Sequence, residues 1–513
     1  MRKSPYVIAL ILSCSAVVVV LGQPTNTSST TSTTQAATTQ AATTQAVSQA
    51  PLVTDAQRIE KNASEDDVIS QLAPLAVGAS VSDKVPGILT FRGNASRSFL
   101  GTGPIGQGSG QVAWRYPRSP MCGKSSEYGE VRTWCGTGWA GQPAVFEREG
   151  RTWVVFGAYD YKIHFVDADT GLDIIPAFAT GDIAKGMVTV DPDGYPVIYA
   201  GSRDNMYRAI AIDGDRPREL WRMDARSFKE RQWNNDWDAG ALILNGLLIE
   251  TGENSRIHVV KLNRTYAADG KVAMKPQILW SAPGWDQQLL RDIGDNRVSA
   301  ESSPTVIGNT VYFTNSGGLL QGWDLTSLLT GVGEPERVLR FWLGDDADST
   351  LVADSEGFLY AGVEVDRNTA RAKVVGQMLK IDPRKPENPV VWSIDVNHGV
   401  DSGVWSTPAV WRDLVIWTTK PGHVVGVRRS DGQVVWDLRI GGMTLSSPVV
   451  VDDTLLQGDG AGVIRAWSLN DTKPVEIWRT KVSGNIESTM AVWRGSIYVG
   501  ARGGYFYKIN TTN

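Results

Sequence analysis

The stretch SSPVVVDDTLLQGDGAGVIRAWSLNDTKPVEIWRTKVSG, residues 446–484, decides the fold. It holds four short runs, SSPVVVD, TLLQGDG, VIRAWSL and VEIWRTKV, separated by Asp-Asp, Gly-Ala-Gly and Asn-Asp-Thr-Lys-Pro. Runs rich in β-branched and aromatic residues, bounded by Gly, Asn, Asp and Pro, predict strands joined by tight turns. The stretch therefore predicts a unit of four strands, and the same unit recurs along the chain.

A tryptophan in the fourth run marks each copy of the unit. It occurs in VAW, ELW, ILW, RFW, VVW, VVW and EIW, at Trp114, Trp221, Trp280, Trp342, Trp392, Trp436 and Trp478, and Phe178 fills an eighth position. The intervals from 392 to 436 and from 436 to 478 are 44 and 42 residues. They match the roughly 40 to 50 residues of a four-stranded propeller blade, and the longer earlier intervals predict loop insertions.

Eight copies can be counted. First strands begin near Gln142, Met187, Ala239, Ser303, Ser349, Ser406, Ser447 and Ser488. The last copy ends at Asn510 after three runs, and a spare run, VAWRYP at 112–117, precedes the first copy. Pairing of these termini would close the ring and remove exposed strand edges. The sequence therefore predicts an all-β, eight-bladed β-propeller at 111–513, with seven blades as the alternative.

Two turns in this pattern resemble those of a known repeat. Asp167-Ala-Asp-Thr-Gly171 and Arg429-Ser-Asp-Gly432 each end a third strand, and the marker position follows in the next strand. Over about residues 111–510 the chain resembles the pyrroloquinoline-quinone-type (quinoprotein-like) propeller repeat. That family includes quinone-dependent alcohol dehydrogenases and also non-catalytic scaffolds, such as the propeller lipoprotein of the outer-membrane protein assembly machine. The resemblance implies the fold, and for a dehydrogenase it would imply pyrroloquinoline quinone and calcium.

The sequence lacks the signatures that would support catalysis. It has no Cys-x-x-Cys-His, His-Glu-x-x-His, Gly-x-Ser-x-Gly or Walker motif. The adjacent cysteines expected of a quinone-dependent alcohol dehydrogenase are also absent. His164 and His258 fall in third strands, where we expect structural roles, and His398 and His423 fall in loops without ligand spacing. We therefore expect a binding or scaffold module, with a pyrroloquinoline-quinone- and calcium-dependent dehydrogenase as the alternative.

Composition excludes one class of partner. The chain has 513 residues, 42% hydrophobic and 20% charged, and a formal net charge of -5 without any basic cluster. Nucleic-acid binding needs a concentrated positive surface, so we expect no nucleic-acid partner. The partners we expect are a protein, a small molecule or a carbohydrate, bound by a monomer.

The N-terminal 110 residues are predicted in three parts. Residues 1–22, MRKSPYVIALILSCSAVVVVLG, have the basic start and short apolar run of a signal peptide, so we expect secretion to the cell surface or periplasm. An uncleaved anchor and lipidation at Cys14 are the alternatives. Residues 23–51 form a Thr/Ser/Gln/Ala spacer predicted to be disordered, and 52–110 form an extension with a short helix at 63–72. Asn-x-Ser/Thr sites begin at Asn26, Asn62, Asn94, Asn263, Asn470 and Asn510 and predict a glycoprotein if the source cell glycosylates.

Two cysteines remain after removal of the signal peptide, Cys122 and Cys135. An even number in an exported protein predicts a disulfide, which would stabilise the fold by about 3 kcal/mol in the chain-entropy model. A metal pair is the alternative, but further ligands at suitable spacing are absent. Because the loop between the two cysteines enters the first blade, the disulfide would brace a lid at the mouth of the central channel; the alternative is that it only stabilises a long insertion.

The segments that lead into the first strands are acidic and aromatic. In a propeller these segments share one face around the central channel, where propellers usually bind ligands. The candidate ligand-binding residues are Trp134, Trp139, Lys185, Asp236, Trp237, Asp238, Glu301, Asp346, Asp348, Asp401, Trp405 and Glu487.

Carboxylates held close together are stable when they are hydrated, paired with cations or bound to a hard metal such as calcium. Asp236, Asp238 and Glu301 are the predicted metal ligands, and the tryptophans would supply stacking surfaces for a cationic or carbohydrate ligand. The competing interpretation is that Asp and Ser cap tight turns while the tryptophans fill the channel.

Overall fold

The computed structural model of the chain describes residues 52–53, 72–73, 76–127, 129–139 and 141–511. The predicted signal peptide, the spacer and nearly all of the predicted helix at 63–72 lie outside these residues. No helix within the described ranges has the length and hydrophobicity of a membrane span.

Eight antiparallel sheets form a propeller ring, which confirms the predicted fold and blade number. Because each sheet packs between two others, its strands are hydrophobic on both faces, and the inner strands are almost fully buried. The strands of blades 1 to 4 are Ala144–Arg148, Arg151–Ala158, Lys162–Asp167 and Phe178–Ala179; Val188–Val190, Val197–Gly201, Met206–Ala211 and Arg218–Asp224; Leu242–Leu244, Leu247–Gly252, Arg256–Lys261 and Gln277–Pro283; and Thr305–Ile307, Thr310–Phe313, Leu319–Asp324 and Glu336–Trp342. Those of blades 5 to 8 are Val352–Ala353, Leu359–Gly362, Met378–Ile381 and Val390–Ile394; Ala409–Trp411, Leu414–Thr419, His423–Arg428 and Val434–Arg439; Val449–Val451, Thr454–Gly458, Val463–Ser468 and Val475–Lys481; and Ala491–Trp493, Ser496–Ala501, Tyr505–Asn510 and Gln111–Tyr116.

The ring closes as predicted, because Gln111–Tyr116 pairs antiparallel with Tyr505–Asn510. The closing strand is also fastened to blade 1. The hydroxyl of Tyr116 donates to Asp173 Oδ1 at 2.6 Å and lies 2.8 Å from His164 Nδ1. The two termini therefore tie blade 8 to blade 1 through side chains as well as through the sheet.

The marker tryptophans join neighbouring blades. Trp392 of blade 5 donates its Nε1–H to Arg429 O of blade 6 at 3.0 Å. Its indole covers Gly432, where a Cβ would lie only 2.8 Å from the ring. Trp114 and Gly171 repeat this contact between blades 8 and 1. The glycine turn after a third strand and the tryptophan of the preceding blade therefore belong to one inter-blade contact, which explains why they recur together.

Residues 87–100, which we call the channel segment, run inside the ring and are almost entirely buried. Gly87–Ile88 pairs with the first strand of blade 1, and Gly101 forms a bridge to blade 8. Single hydrogen bonds attach the segment to blades 2 to 6: Val190 N to Leu89 O (2.7 Å), Thr90 Oγ1 to Ala241 O (2.6 Å), Val306 N to Ala95 O (2.9 Å), Ala353 N to Ser96 O (2.9 Å) and Arg92 Nη2 to Thr407 O (2.8 Å). This part of the predicted extension is therefore built into the core of the propeller.

Arg97 anchors the channel segment. Its guanidinium is fully buried and donates to Pro304 O at 2.8 Å, Phe91 O at 2.8 Å and Gly240 O at 2.7 Å. Asn94 is also buried and donates to backbone carbonyls, so the predicted sequon at this position is not accessible in the folded chain.

Short helices and two-stranded sheets lie outside the main sheets of the blades. The helices are Gln287–Ile293, Thr326–Leu329 and Ala370–Val375, with a 3-10 turn at Ala225–Ser227, and Leu52–Val53 pairs with the outer strand of blade 2. Two-stranded sheets are formed by Arg264–Tyr266 with Val272–Met274, Glu364–Val365 with Ser402–Gly403, and Cys122–Glu127 with Glu130–Cys135. The disulfide between Cys122 and Cys135 closes the last of these, which confirms the predicted pairing.

Candidate functional site

One backbone hydrogen bond repeats in all eight blades and defines the mouth of the channel. A residue shortly after the second strand donates its N–H to a carbonyl in the segment that leads into the first strand. The donor–acceptor pairs are Tyr159–Gly136, Arg203–Ile183, Glu253–Asp236, Ser316–Ser299, Glu364–Asp346, Lys420–Gly403, Gly460–Met443 and Arg502–Asn485, at 2.7–3.0 Å. Because this mouth bond is the same in every blade, equivalent side chains can be compared around the ring.

The residue two positions after each acceptor belongs to what we call the inner ring. Its members are Gly138, Lys185, Asp238, Glu301, Asp348, Trp405, Leu445 and Glu487. The four from blades 2 to 5 are charged and interact electrostatically around the ring. The acidic character predicted for this face is therefore concentrated on one side of the channel.

Blade 3 holds three carboxylates around the mouth bond: Asp236 as acceptor residue, Asp238 in the inner ring and Glu253 as donor residue. We call them the blade-3 triad, and oxygens of all three lie within 4.8 Å of one another. The buried ammonium of Lys185 lies among them, 2.5 Å from Asp238 Oδ2, 2.7 Å from Glu253 Oε1 and 3.4 Å from Asp236 Oδ2. Arg203 Nε adds a second cation, 2.7 Å from Asp236.

The charged groups of this cluster shift each other's pKa values. Burial would lower the pKa of Lys185, but the attraction of Asp238, Glu253 and Asp236 outweighs burial and holds the pKa well above its ordinary value. Burial raises the pKa of Asp238, and repulsion from Glu253 adds to the rise although Lys185 opposes it. Three carboxylates thus share two cations, and Lys185 stays protonated.

A cavity of about 480 Å³ opens beside Lys185 at the mouth. Trp139 forms one wall: its indole lies 4.6 Å from Lys185 Nζ and donates Nε1–H to Glu301 Oε2 at 2.9 Å. Ser299 Oγ donates to the other oxygen of Glu301 at 2.8 Å. The full lining is Ser126, Trp139, Asp182, Lys185, Arg203, Trp233, Asn234, Glu253 and Glu301.

A second cavity, of about 530 Å³, lies on the opposite face beside Tyr195 and Tyr266. Its arginine, Arg264, is paired with both Asp191 and Asp193 at 2.6 Å, so its charge is already balanced. The mouth cavity is the better candidate, because buried charged groups and two indoles converge on it.

Blade 5 repeats the acidic arrangement with Asp346, Asp348 and Glu364, which we call the blade-5 triad. Its only ion pair within the described residues is between Lys420 Nζ and Glu364 Oε2, at 3.4 Å. Burial raises the pKa of Glu364 to about 7, with Lys420 opposing the rise and Asp366 adding to it. Burial and like-charge neighbours hold the pKa values of Asp346 and Asp348 well above their ordinary range.

The other predicted residues are not members of the two triads. Trp405 packs edge-on against Trp139, with ring centroids 5.2 Å apart. Glu487 accepts from Arg502 Nη1 at 2.8 Å, and Asp401 is 81% exposed on the rim.

Two of the predicted aromatic residues are buried. Trp237 is 1% exposed, packs between blades 2 and 3, and donates to Asn205 O. Its prediction as a stacking surface is therefore wrong, because the side chain points into the blade interface. Trp134 is also buried, edge-on to Tyr159 and under Arg502, where it seats the disulfide-closed hairpin. That hairpin contributes Ser126 to the cavity wall, consistent with the predicted lid.

The predicted metal set is only partly assembled. Asp236 and Asp238 are close together, but their third partner is Glu253, while Glu301 contacts Trp139 and Ser299. Calcium binding at the predicted set stays a prediction, and Lys185 already occupies the centre of the blade-3 cluster.

Sequence reasoning missed Glu364 of the blade-5 triad and six residues of the cavity wall, Ser126, Asp182, Arg203, Trp233, Asn234 and Glu253. The turns that contain Arg203 and Glu253 have an ordinary explanation as tight hairpins. A usable signal was present, since blades 3 and 5 both carry Asp-x-Asp before the first strand and a glutamate just after the second.

Comparison with known proteins supports the fold but no activity. No family profile matches the chain. Among solved structures, BamB from Moraxella catarrhalis is 15% identical with a TM-score of 0.50, covering 78% of this chain and 97% of that one. Sqt1 from Saccharomyces cerevisiae is 9% identical with a TM-score of 0.54, covering 80% and 100%. Both show the propeller, and the finer resemblance to the quinoprotein repeat stays a prediction.

One curated protein matches in sequence over a short stretch. Tetrathionate hydrolase from Acidithiobacillus ferrooxidans is 32% identical over 92 residues, which span 18% of this chain and 18% of that protein. The match thus covers less than a fifth of the length of the curated relative.

Proposed function

We propose that this protein is an exported binding module that takes up a small organic cation in the mouth cavity. The observation that carries the proposal is the state of Glu301. It accepts hydrogen bonds from the neutral donors Trp139 and Ser299, and it has no ion-pair partner among the described residues. The cavity therefore presents a negative charge that the surrounding chain leaves unbalanced.

The remaining lining supports the same ligand class. The cations of the wall, Lys185 and Arg203, are already paired with the blade-3 triad, whereas Asp182 and Glu253 add negative charge. The indoles of Trp139 and Trp233 line the cavity. A cation over an indole face gains about 0.5 to 2 kcal/mol, depending on how far it is desolvated. The charge and the aromatic surface of the cavity thus both favour an organic cation as the ligand.

The same charge argues against anionic ligands. Pyrroloquinoline quinone is a planar tricarboxylate, and the acidic mouth offers it no unpaired cation cluster among the described residues, so the side chains present do not fit this cofactor. Tetrathionate, the substrate in the name of the sequence relative, is a dianion and meets the same repulsion. A neutral carbohydrate would avoid the repulsion but would gain nothing from Glu301.

Titration calorimetry at low salt tests the proposal, with spermidine and choline as cationic probes, glucose as the neutral probe and tetrathionate as the anion. We expect a cation to bind and Glu301→Gln to weaken it at least tenfold, about 1.4 kcal/mol. The matched control is Asp401→Asn, which removes an exposed carboxylate outside the cavity. Equal binding by Glu301→Gln, or tighter binding of glucose or tetrathionate than of either cation, would overturn the proposal.

Export rests on the N-terminal sequence and agrees with the disulfide, because such bonds persist in oxidising compartments. N-terminal sequencing of protein recovered outside the cytoplasm should begin at Gln23. A mature protein that retains Met1 would contradict cleavage and favour the anchored alternative.

A further inference from the structure

The two triads are equivalent parts of the same repeat. In both blades an aspartate supplies the acceptor carbonyl of the mouth bond, an aspartate occupies the inner ring, and a glutamate donates the bond. The bond lengths agree: Glu253 N to Asp236 O is 3.0 Å, and Glu364 N to Asp346 O is 2.7 Å. The backbone therefore presents the same three carboxylates in the same places.

The triads differ in what fills them. The ammonium of Lys185, from the inner ring of blade 2, contacts all three carboxylates of blade 3. The inner-ring residue of blade 4, which precedes blade 5, is Glu301 and brings a negative charge. The blade-3 triad is thus a cation site whose cation belongs to the chain, and the blade-5 triad has the same ligands without that cation.

Two buried oxygens of blade 5 have no partner. Asp346 Oδ1 and Asp348 Oδ1 are inaccessible to solvent and form no hydrogen bond within the described residues. Lys420 contacts Oε2 of Glu364, and no hydrogen bond reaches Oε1 in the described part of the chain. A buried carboxylate oxygen without a hydrogen bond or a cation is costly, so Asp346 Oδ1 and Asp348 Oδ1 point to a missing ligand.

The spacing of the triad suits a hard divalent ion. Two oxygens bound to one calcium ion at about 2.4 Å can lie at most about 4.8 Å apart. The ligand oxygens of Asp346, Asp348 and Glu364 all lie within 4.8 Å of one another. Calcium tolerates irregular coordination and completes its shell with water and backbone carbonyls, which three clustered carboxylates leave room for.

We propose that Asp346, Asp348 and Glu364 bind a calcium-class divalent cation, in the position that the Lys185 ammonium occupies in the equivalent triad of blade 3. This site is separate from the cavity of the proposed function and can exist whether or not that cavity binds an organic cation. Lys420, 3.4 Å from Glu364, balances one carboxylate charge, and the divalent ion balances the other two.

Terbium luminescence tests the site, because terbium replaces calcium and is excited through a nearby indole. Trp405 is suitably placed: its ring lies 5.3 Å from Lys420 Nζ, which contacts Glu364. We expect a signal that saturates at one equivalent of terbium and is displaced by calcium. Trp405→Phe should lower the intensity without changing the affinity, which locates the ion beside blade 5.

Matched variants assign the ligands. Asp348→Asn and Glu364→Gln should each weaken terbium binding at least tenfold, whereas Asp238→Asn in blade 3 should bind as the wild type does. Thermal melts in chelator show whether each variant is folded, and the calcium-induced rise in Tm should be lost with the terbium signal. Absence of both responses in the wild type, or retention of both in Asp348→Asn and Glu364→Gln, would overturn the proposal.

Discussion

Blades 3 and 5 place the same three carboxylates around the same backbone bond, yet two buried cations pair with the triad of blade 3 and one lysine with that of blade 5. The difference comes from the preceding blade. Blade 2 contributes Lys185 and Arg203 to blade 3, while blade 4 contributes Glu301 and Ser316 next to blade 5. In a ring of repeats, the chemistry of a site is therefore set by the pair of adjacent blades that flank it.

Among the variants that test this difference between blades 3 and 5, Lys185→Met should lower the free energy of unfolding most. It leaves three buried carboxylates with only Arg203, and breaking a buried ion pair typically costs about 3 to 5 kcal/mol. We expect the free energy of unfolding, measured by urea denaturation in chelator, to fall by about that amount and to recover in part when calcium is added.

Lys420→Met is the matched control for this change, because it removes the lysine of the blade-5 triad. Lys420 contacts Glu364 at 3.4 Å and the exposed Asp401 at 3.5 Å and is itself 18% exposed, so the loss should be about 1 kcal/mol or less. Equal losses in the two variants would mean that the two lysines have equivalent roles and would break the comparison.

Asp238→Asn and Asp348→Asn should have opposite effects in chelator at neutral pH. Asp238→Asn weakens the 2.5 Å contact to Lys185 and should cost about 1 to 3 kcal/mol. Burial and then repulsion from Asp346 raise the pKa of Asp348 above its unfolded value, so its ionised form opposes folding above that value. The neutral amide should leave stability unchanged or increase it. Parallel chemical denaturation measures both, and a large loss in Asp348→Asn would show that its carboxylate is already balanced.

A smaller difference between blades 3 and 5 is the pH dependence of stability that a buried histidine of blade 3 contributes. His258 of blade 3 is fully buried, and no hydrogen bond reaches its ring nitrogens within the described residues. Burial, with a smaller effect of Arg256, holds its pKa well below the ordinary value. The unfolded chain binds the proton below about pH 6.5 and the folded chain does not, so stability should fall as pH is lowered, by roughly 1 kcal/mol between pH 7 and 5.5.

His258→Leu isolates this contribution, because Glu250 opposite it on the neighbouring strand and Arg256 remain in both proteins. The variant should lose that part of the pH dependence. The equivalent positions of blade 5 hold Ala361 and Leu379, which do not titrate, so the neighbouring Lys380→Leu should leave the slope between pH 7 and 5.5 unchanged. Identical slopes in the wild type and His258→Leu would contradict the assignment.

The fold was predictable because its information is local and repeated. Each blade carries its own strands, turns and marker tryptophan, and the unpaired run at 112–117 indicates how the ring closes. The channel segment was not predictable, since it has no repeat and buries Arg92 and Arg97, residue types that are almost never fully buried unless paired.

The candidate site was predictable only on one side of the mouth bond. Residues before the first strands, such as Asp238, Glu301 and Asp348, stand out as an acidic series. Their partners after the second strands, Glu253 and Glu364, are distant in sequence, and their recurrence in blades 3 and 5 becomes informative only when the blades are aligned on the mouth bond. Trp237 shows why a residue can also be predicted wrongly to belong to the site. Neighbouring positions in one segment can point into the channel or into the interface between blades, and the sequence does not distinguish the two.

The most direct test of the account is the number of calcium ions bound at equilibrium dialysis by the wild type, Asp348→Asn and Lys185→Met, each checked for folding. The equivalence of the two triads predicts one ion in the wild type, none in Asp348→Asn and two in Lys185→Met, where removal of the ammonium opens the blade-3 triad. No ion in the wild type, or one ion retained in Asp348→Asn, would contradict it.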